Sequence, residues 1–218
     1  MNFKYGDSWE KYPVALGDIW TCGMQTFYCG DWEAIADLDL SKAEWIYCDP
    51  PWGNGALSGF RTKASNHGVE KERQLDYLQL IDTVLGEFIA SGKPCYVEMG
   101  VTWAEAVGNA LAGRTGTPTY HWDVTYNGGK APCRLLSTVD RRQDFSGMDS
   151  ADLPLAAMVV EEGAVLDPFL GLGTTTFHAE RSGREGIGIE MHPRRLASAI
   201  DRVAQVHGAD PEKIGEFV

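Results

Sequence analysis

The 218-residue chain lacks any apolar run that approaches the roughly 20 residues needed to span a bilayer. Its first 17 residues contain no apolar segment of the kind that marks a signal peptide. These two absences predict a cytoplasmic protein that makes no membrane contact. Apolar residues still make up 44% of the chain, which is enough to bury the core of a single domain over residues 1–218.

Cysteine is scarce, and its five positions include no C-x-x-C pair. An odd number without that spacing argues against a disulfide framework and against a zinc site. We therefore expect each cysteine to pack as a small apolar side chain in a reducing compartment, and we expect no metal to be required.

Positive charge is also scarce, because 19 lysines and arginines stand against 31 acids, for a net charge of −12. This balance disfavours a protein that coats nucleic acid non-specifically, since neutralising phosphates takes Lys and Arg. Basic residues nevertheless outnumber acids in two segments, residues 61–73 and residues 114–142. Scattered, solvated charge is the alternative interpretation of both segments.

Strand patterns alternate with helix patterns along most of the chain. Hairpins are predicted over 18–31 and 119–139, strands over 44–49, 94–100, 164–169 and 185–190, and helices over 32–39, 74–91, 102–113, 153–163, 174–183 and 193–206. This alternation predicts an α/β fold with a mostly parallel sheet covered on both faces, and the hairpin at 119–139 as an antiparallel edge. Residues 53–73 are polar, rich in glycine and unpatterned, which predicts a mobile loop that contacts substrate.

Four acids stand at the carboxyl ends of predicted strands: Asp31, Asp49, Asp167 and Glu190. Ligands of open α/β sheets bind at those ends, so four acids there indicate a site.

The segment "CDPPWGNG", residues 48–55, places one of these acids before two prolines and a tryptophan. Proline fixes φ and has no N–H, so the carbonyls of Pro50 and Pro51 are predicted to be fixed and unpaired. Together with Asp49 and the flat ring of Trp52, they could hold a planar group that carries an NH2. Asp-Pro-Pro also occurs in ordinary turns, which is the alternative interpretation.

A second motif is the turn Gly171-x-Gly173, which follows an apolar strand and opens a helix at Thr174. About 20 residues later Glu190 stands where an acid can accept hydrogen bonds from ribose hydroxyls. Thr176 occupies the place of a third glycine, and no phosphate-binding lysine follows. The pattern favours a ribose-bearing cofactor without a pyrophosphate, such as S-adenosylmethionine; an ordinary strand-turn-helix is the alternative.

Residues 166–193 resemble the cofactor-binding segment of the bacterial and phage DNA amino-methyltransferases, and "DPPW" at 49–52 resembles their catalytic motif, (D/N/S)PP(Y/F/W). The hairpin at 17–31 resembles the one that precedes that motif, and the catalytic half comes first, as in the beta group. The resemblance implies a Rossmann-like S-adenosylmethionine-dependent methyltransferase fold with a seven-stranded sheet in circularly permuted order. No strand is predicted after Glu190, so the strand at 26–31 is expected beside the strand at 186–190.

The resemblance also implies roles for individual residues. The catalytic set is Asp49, Pro50, Pro51 and Trp52, in which Asp49 and the Pro50 carbonyl would bind the amine of a flipped base and Trp52 would stack on it. The cofactor-binding set is Asp167, Pro168, Phe169, Gly171, Gly173 and Thr174 around the methionine portion, Glu190 at the ribose and Asp31 at the adenine.

The expected substrate is DNA, most simply adenine N6, because an acid at position 49 is typical of the adenine enzymes. Cytosine N4, adenine in RNA, transfer of another group to the adenine amine, and a catalytically silent subunit of a heteromer remain alternatives. The chain has no room for a separate target-recognition domain, so recognition by loops, by a homodimer or by a partner subunit is expected. The predicted nucleic-acid contacts are Arg61, Lys63, Lys130, Arg141 and Arg142.

Overall fold

The computed structural model describes residues 7–30, 41–65, 77–90, 92–208 and 210–217. These residues group into two compact units, a first unit that comprises the chain up to Ala43 and from Gly163 onward, and a second unit from Glu44 to Glu162. None of the helices in this described part is both long and apolar enough to cross a membrane. The helix predicted over 32–39 lies outside the described residues, and the single domain over 1–218 stays a prediction.

Seven helices and nine strands form within the described residues. In chain order they are α1 (Ser8–Lys11), β1 (Asp18–Cys22), β2 (Gln25–Tyr28), β3 (Ala43–Cys48), α2 (Asn54–Ser65), α3 (Tyr77–Ala90), β4 (Cys95–Gly100), α4 (Val101–Thr115), β5 (Tyr120–Tyr126), β6 (Ala131–Ser137), α5 (Leu153–Val160), β7 (Ala164–Asp167), α6 (Thr174–Arg181), β8 (Gly186–Ile189), α7 (Pro193–His207) and β9 (Glu212–Glu216).

The strands of the first unit follow the order β7-β8-β2-β1-β9. β7, β8 and β2 are parallel, and β1 is antiparallel to both β2 and β9. The predicted neighbour of the strand at 186–190 is confirmed, because β2 pairs with β8 from Gln25 opposite Gly186 to Tyr28 opposite Ile189.

The prediction that no strand follows Glu190 is wrong, because β9 pairs with β1. β9 reads Glu-Lys-Ile-Gly-Glu and lies mostly exposed, so it lacks the alternating apolar pattern by which a strand is recognised. Its Lys213 ammonium lies 2.7 Å from the carboxylate of Asp18 in β1, which fastens this edge strand.

The strands of the second unit follow the order β5-β6-β4-β3. β3 and β4 are parallel, whereas β6 is antiparallel to β4 and to β5. The hairpin at 119–139 is thus confirmed as an antiparallel edge. The described residues form nine strands rather than the expected seven. Because β1 and β9 add antiparallel pairs in the first unit, the pairing is mixed rather than mostly parallel.

The prediction of a loop over residues 53–73 is wrong for Asn54–Ser65, which form α2. The buried Leu57 anchors this helix, and its N–H donates to the Gly53 carbonyl at 3.0 Å. Gly55 and Gly59 weaken the helical pattern in the sequence, which is why the segment looks unstructured. Residues 66–73 lie outside the described residues, and the proposed contact of this segment with substrate stays a prediction.

The core of the first unit forms where α7 packs on β1 and β2. Leu196, Ile200 and Val203 recur at helical spacing and are buried with Trp20 and Phe27. All five cysteines of the chain are buried and none is in a disulfide, as expected for small side chains packed in the interior.

Candidate active site

The Asp-Pro-Pro-Trp motif begins where the buried strand β3 ends, at Cys48. Asp49 follows half-buried, and the Trp52 indole Nε1–H donates to its Oδ1 at 2.7 Å. The Gly53 N–H donates to the Pro51 carbonyl at 2.9 Å, so the expectation of an unpaired carbonyl is wrong at Pro51. The Pro50 carbonyl has no hydrogen-bond partner among the described residues.

The ring of Trp52 is held by residues at the ends of two strands. Tyr126, the last residue of β5, meets it edge to face with ring centroids 4.9 Å apart and planes inclined by 69°. At Gly100, the last residue of β4, a Cβ would lie 3.0 Å from the indole. Glycine at this position therefore lets the ring lie directly against the strand.

The surroundings of Asp49 carry buried groups that stay protonated at neutral pH. Burial raises the pKa of Tyr77, and the charges of Cys48 and Asp49 add to the effect. Burial also raises the pKa of the Cys133 thiol to about 12, with a further contribution from nearby acids that include Asp49. Within the described residues the Tyr77 hydroxyl has no hydrogen-bond partner.

The glycine turn of the first unit is organised by Asp167 at the end of β7, which is only 4% exposed. Its Oδ1 accepts from the Phe169 N–H at 3.0 Å, and its Oδ2 accepts from the Thr175 hydroxyl at 2.6 Å. Gly171 and Gly173 both have positive φ, +61° and +78°. Asp167 therefore fixes the turn and the start of α6 together, and the two glycines supply the left-handed backbone.

Glu190 follows β8 beside this turn and is 7% exposed. Its Oε1 accepts from the His192 N–H at 2.8 Å, and its Oε2 lies 3.7 Å from Nε of Arg195. A Cβ at Gly171 would lie 2.7 Å from the guanidinium of Arg195. Arg195 thus joins the acid to the glycine turn.

Arg195 and Thr175 are site residues that the sequence interpretation missed. Arg195 lies in the first turn of α7, where the helix dipole disfavours a cation. A cation in that position signals a nearby acid, and Glu190 is that acid.

The predicted site residues fall into three groups. The residues predicted to be catalytic lie in the second unit, and the described residues predicted to bind the cofactor lie in the first, whereas Asp31 lies outside the described residues. Among the predicted nucleic-acid contacts, Arg61 and Lys63 belong to α2, and Lys130 and Arg142 are exposed.

Arg141 has a structural partner that the sequence did not reveal. Its Nε and Nη2 donate to the two carboxylate oxygens of Glu161 at 2.7 and 2.9 Å, and the Tyr96 hydroxyl donates to the same carboxylate at 2.6 Å. Glu161 is 4% exposed, so the guanidinium neutralises a buried acid. A contact of Arg141 with nucleic acid stays a prediction.

Comparisons with known proteins agree on one family. Residues 154–201 match the family model described as DNA methylase. The Type II methyltransferase M.ScaI of Streptomyces caespitosus is 31% identical over 93 residues, which are 42% of this chain and 29% of that protein. The match therefore spans less than a third of the relative's length.

Solved structures of low identity share the fold. The M1.HpyAVI-SAM complex superposes with a TM-score of 0.57 at 17% identity, over 83% of this chain and 100% of that one. TTHA0409 of Thermus thermophilus, solved with S-adenosyl-L-methionine, gives a TM-score of 0.62 at 15% identity, over 88% and 98%. The cytosine-N4-specific PvuII DNA methyltransferase gives 0.55 at 15% identity, over 86% and 93%.

The α/β fold class is thereby confirmed, and the strand order fits the permuted arrangement. The family match around the glycine turn, the curated relative and the shared fold together support the assignment of this chain to the DNA amino-methyltransferase family.

Proposed function

We propose that this protein transfers a methyl group from S-adenosylmethionine to the exocyclic amine of a base in DNA, with adenine N6 as the preferred position. The observation that carries the proposal is the half-buried Asp49 carboxylate, which is held by the indole N–H of Trp52 and is followed in the chain by Pro50. A carboxylate, a carbonyl and an aromatic face are the groups that a planar amine requires.

The chemical problem is that an aromatic amine is a poor nucleophile, because its lone pair is delocalised into the ring. Asp49 and the Pro50 carbonyl would each accept one N–H of that amine, which favours a pyramidal nitrogen with an available lone pair. Trp52 would stack on the base after it leaves the duplex. Positioning and electrostatics then supply the rate without a covalent enzyme intermediate.

The residues of the first unit fit the cofactor. Gly171 and Gly173 keep bare backbone in the turn, because side chains there would collide with Arg195 and Ala199. Glu190 would accept from the ribose hydroxyls, Asp31 would contact the adenine, and Asp167 would hold the turn in shape. S-adenosylmethionine supplies a methyl group activated by a positively charged sulfur, and the proposed transfer uses no metal.

Cytosine N4 is the second candidate for the target. The solved structures that share the fold include a cytosine-N4-specific enzyme, whereas an acid at position 49 favours adenine within the family resemblance. Two further alternatives are RNA as the substrate and a silent subunit within a heteromer. The experiment described next distinguishes them from methylation of adenine or cytosine in DNA.

The test is nucleoside mass spectrometry after incubation of DNA and of RNA with the protein and methyl-labelled cofactor. We expect labelled N6-methyl-deoxyadenosine from DNA, while N4-methyl-deoxycytidine or a labelled ribonucleoside would identify the alternatives. No label in any substrate, with the cofactor bound, would indicate a silent subunit.

Replacing Asp49 by Ala should lower kcat by about 100-fold or more, because a group that acts on the reacting amine is lost. Titration calorimetry should show nearly unchanged cofactor affinity in that variant. The matched control is Gly171→Trp, which should abolish cofactor binding. Wild-type turnover by Asp49→Ala would contradict the catalytic assignment, and wild-type binding by Gly171→Trp would contradict the cofactor assignment.

A further inference from the structure

We infer that Trp52 has a second role in the proposed reaction: its indole N–H positions the Asp49 carboxylate for the target amine. The inference rests on the proposed function and extends it, since stacking needs only the face of the ring. The contact that carries it is the 2.7 Å hydrogen bond from Trp52 Nε1 to Asp49 Oδ1.

The indole is placed by its surroundings rather than by this hydrogen bond alone. Tyr126 packs edge to face against it at 4.9 Å, and the bare backbone at Gly100 admits the ring against the end of β4. The two residues lie on different strands, β5 and β4, and both lie against the ring. A restrained ring presents its N–H in a fixed direction, which is what a positioning donor requires.

The hydrogen bond uses the edge of the indole, whereas stacking would use a face of the ring. The edge of the indole that carries Nε1–H points at Asp49, so a base stacked on the ring with its amine on the same side meets the same carboxylate. A carboxylate has about four lone-pair sites, and the bond from the indole takes one of them, at Oδ1. The indole thereby aligns the base and its acceptor with each other.

Tryptophan is the aromatic residue that provides this donor. Phenylalanine offers the ring without any N–H, and the hydroxyl of tyrosine stands at the far end of its ring. Position 52 therefore distinguishes among aromatic residues by hydrogen bonding, although all three can stack.

Other groups around Asp49 could titrate and must be separated from it. They are Cys48 on its own strand, Tyr77 of α3 and Cys133 of β6, with Glu98 of β4 and Asp149 also acting on the Cys133 thiol. Burial keeps Tyr77 and Cys133 protonated well above neutral pH. Glu98 accepts from the Tyr47 hydroxyl at 2.9 Å and is the nearby acid that calls for a control.

The direct test uses the indole N–H resonances of the seven tryptophans in a two-dimensional ¹⁵N–¹H spectrum of the whole protein. Trp52→Phe identifies the Trp52 resonance by removing it. We expect Asp49→Asn to shift that resonance and to abolish its movement with pH, while the control Glu98→Gln leaves both nearly unchanged. If the Trp52 resonance does not shift in Asp49→Asn, the inference is overturned whether or not the protein is active.

The kinetic test compares Trp52→Phe with the control Trp9→Phe, which makes the same substitution at an exposed tryptophan of α1. We expect Trp52→Phe to lower kcat about tenfold or more with a smaller change in KM for DNA, because a misplaced acceptor affects the chemical step. The acid limb of its kcat profile should move to higher pH, since a lost donor disfavours the ionised carboxyl. Trp9→Phe should keep the wild-type profile.

The outcomes separate the inference from the proposed function. An unchanged kcat in Trp52→Phe, with an active wild-type protein, would overturn the inference alone, and a raised kcat would in addition show that the indole competes with the amine. A wild-type protein that methylates no nucleic acid would overturn the proposed function, and the positioning role would fall with it.

Discussion

At the scale of single residues, the acidic character of this chain is partly internal. Asp18, Asp167, Glu161 and Glu180 are buried, and each accepts hydrogen bonds from backbone or side-chain donors. A buried carboxylate is costly unless such donors satisfy it. These acids therefore hold segments of the chain together in addition to contributing to the net charge.

The pair of Arg141 and Glu161 gives the sharpest stability prediction at this scale. Arg141→Ala would leave a buried carboxylate with the Tyr96 hydroxyl but without its cation, which should lower the free energy of unfolding by about 2 kcal/mol. The lower end of the usual range applies because the arginine side chain is 41% exposed. Urea unfolding measures the change.

The neighbouring Arg142→Ala is the matched control, because it removes the same charge from an exposed side chain. Its free energy of unfolding should stay within about 0.5 kcal/mol of the wild-type value. Equal losses in the two variants would mean that Glu161 gains no stability from its partner.

At the scale of elements, the sequence predicted what local patterns encode. The hairpin over Asp18–Tyr28 and the strand-turn-helix around Gly171 carry their signals within a few residues, so both were recognisable. α2 and β9 were not recognisable, because their patterns are weak and they depend on contacts with distant segments. The role of Glu180 was not recognisable either, because its carboxylate accepts from the Met24 N–H, which lies 156 positions away in the sequence.

β9 is held by a distant contact of this kind, the ion pair of Lys213 with Asp18. This contact makes the stability of the fold depend on pH. Burial alone would raise the pKa of Asp18, but hydrogen bonds from Lys213, Ala15 and Trp20 outweigh burial and lower it. A carboxyl whose folded pKa is lowered stabilises the fold above its unfolded pKa of about 3.9. That contribution is lost as the pH falls through the folded pKa.

Lys213→Ala should therefore bring acid unfolding to a higher pH, because Asp18 loses a donor that keeps it ionised. Circular dichroism between pH 7 and pH 2 measures the midpoint of acid unfolding. The melting temperature at neutral pH should also fall. Glu216→Ala is the control, since Glu216 is the other acid beside Lys213 and its side chain is 67% exposed. A midpoint that moves in the control as much as in Lys213→Ala would contradict the role of Asp18.

At the scale of the whole molecule, a net charge of −12 repels DNA at long range. Productive contact then requires a local basic surface, and Lys130 and Arg142 are exposed in the segment where basic residues outnumber acids. The turn that carries Lys130 is held in shape, because the Asp149 carboxylate accepts from the N–H groups of Gly128 and Gly129 at 2.8 and 3.2 Å. A fixed turn presents its lysine to a phosphate at a lower entropic cost than a disordered one.

Reversing Lys130 or Arg142 to Glu should raise KM for DNA and reduce the slope of log affinity against log salt by about one per residue. Cofactor affinity should stay the same, because neither residue belongs to the glycine turn. Arg141 is left intact in this test, since its loss would also expose Glu161. The control is Lys42→Glu, which makes the same change of charge at another exposed lysine. Fluorescence anisotropy with a short duplex at several salt concentrations gives both quantities. An equal effect of Lys42→Glu would show that only net charge matters, and DNA would then have to contact another surface.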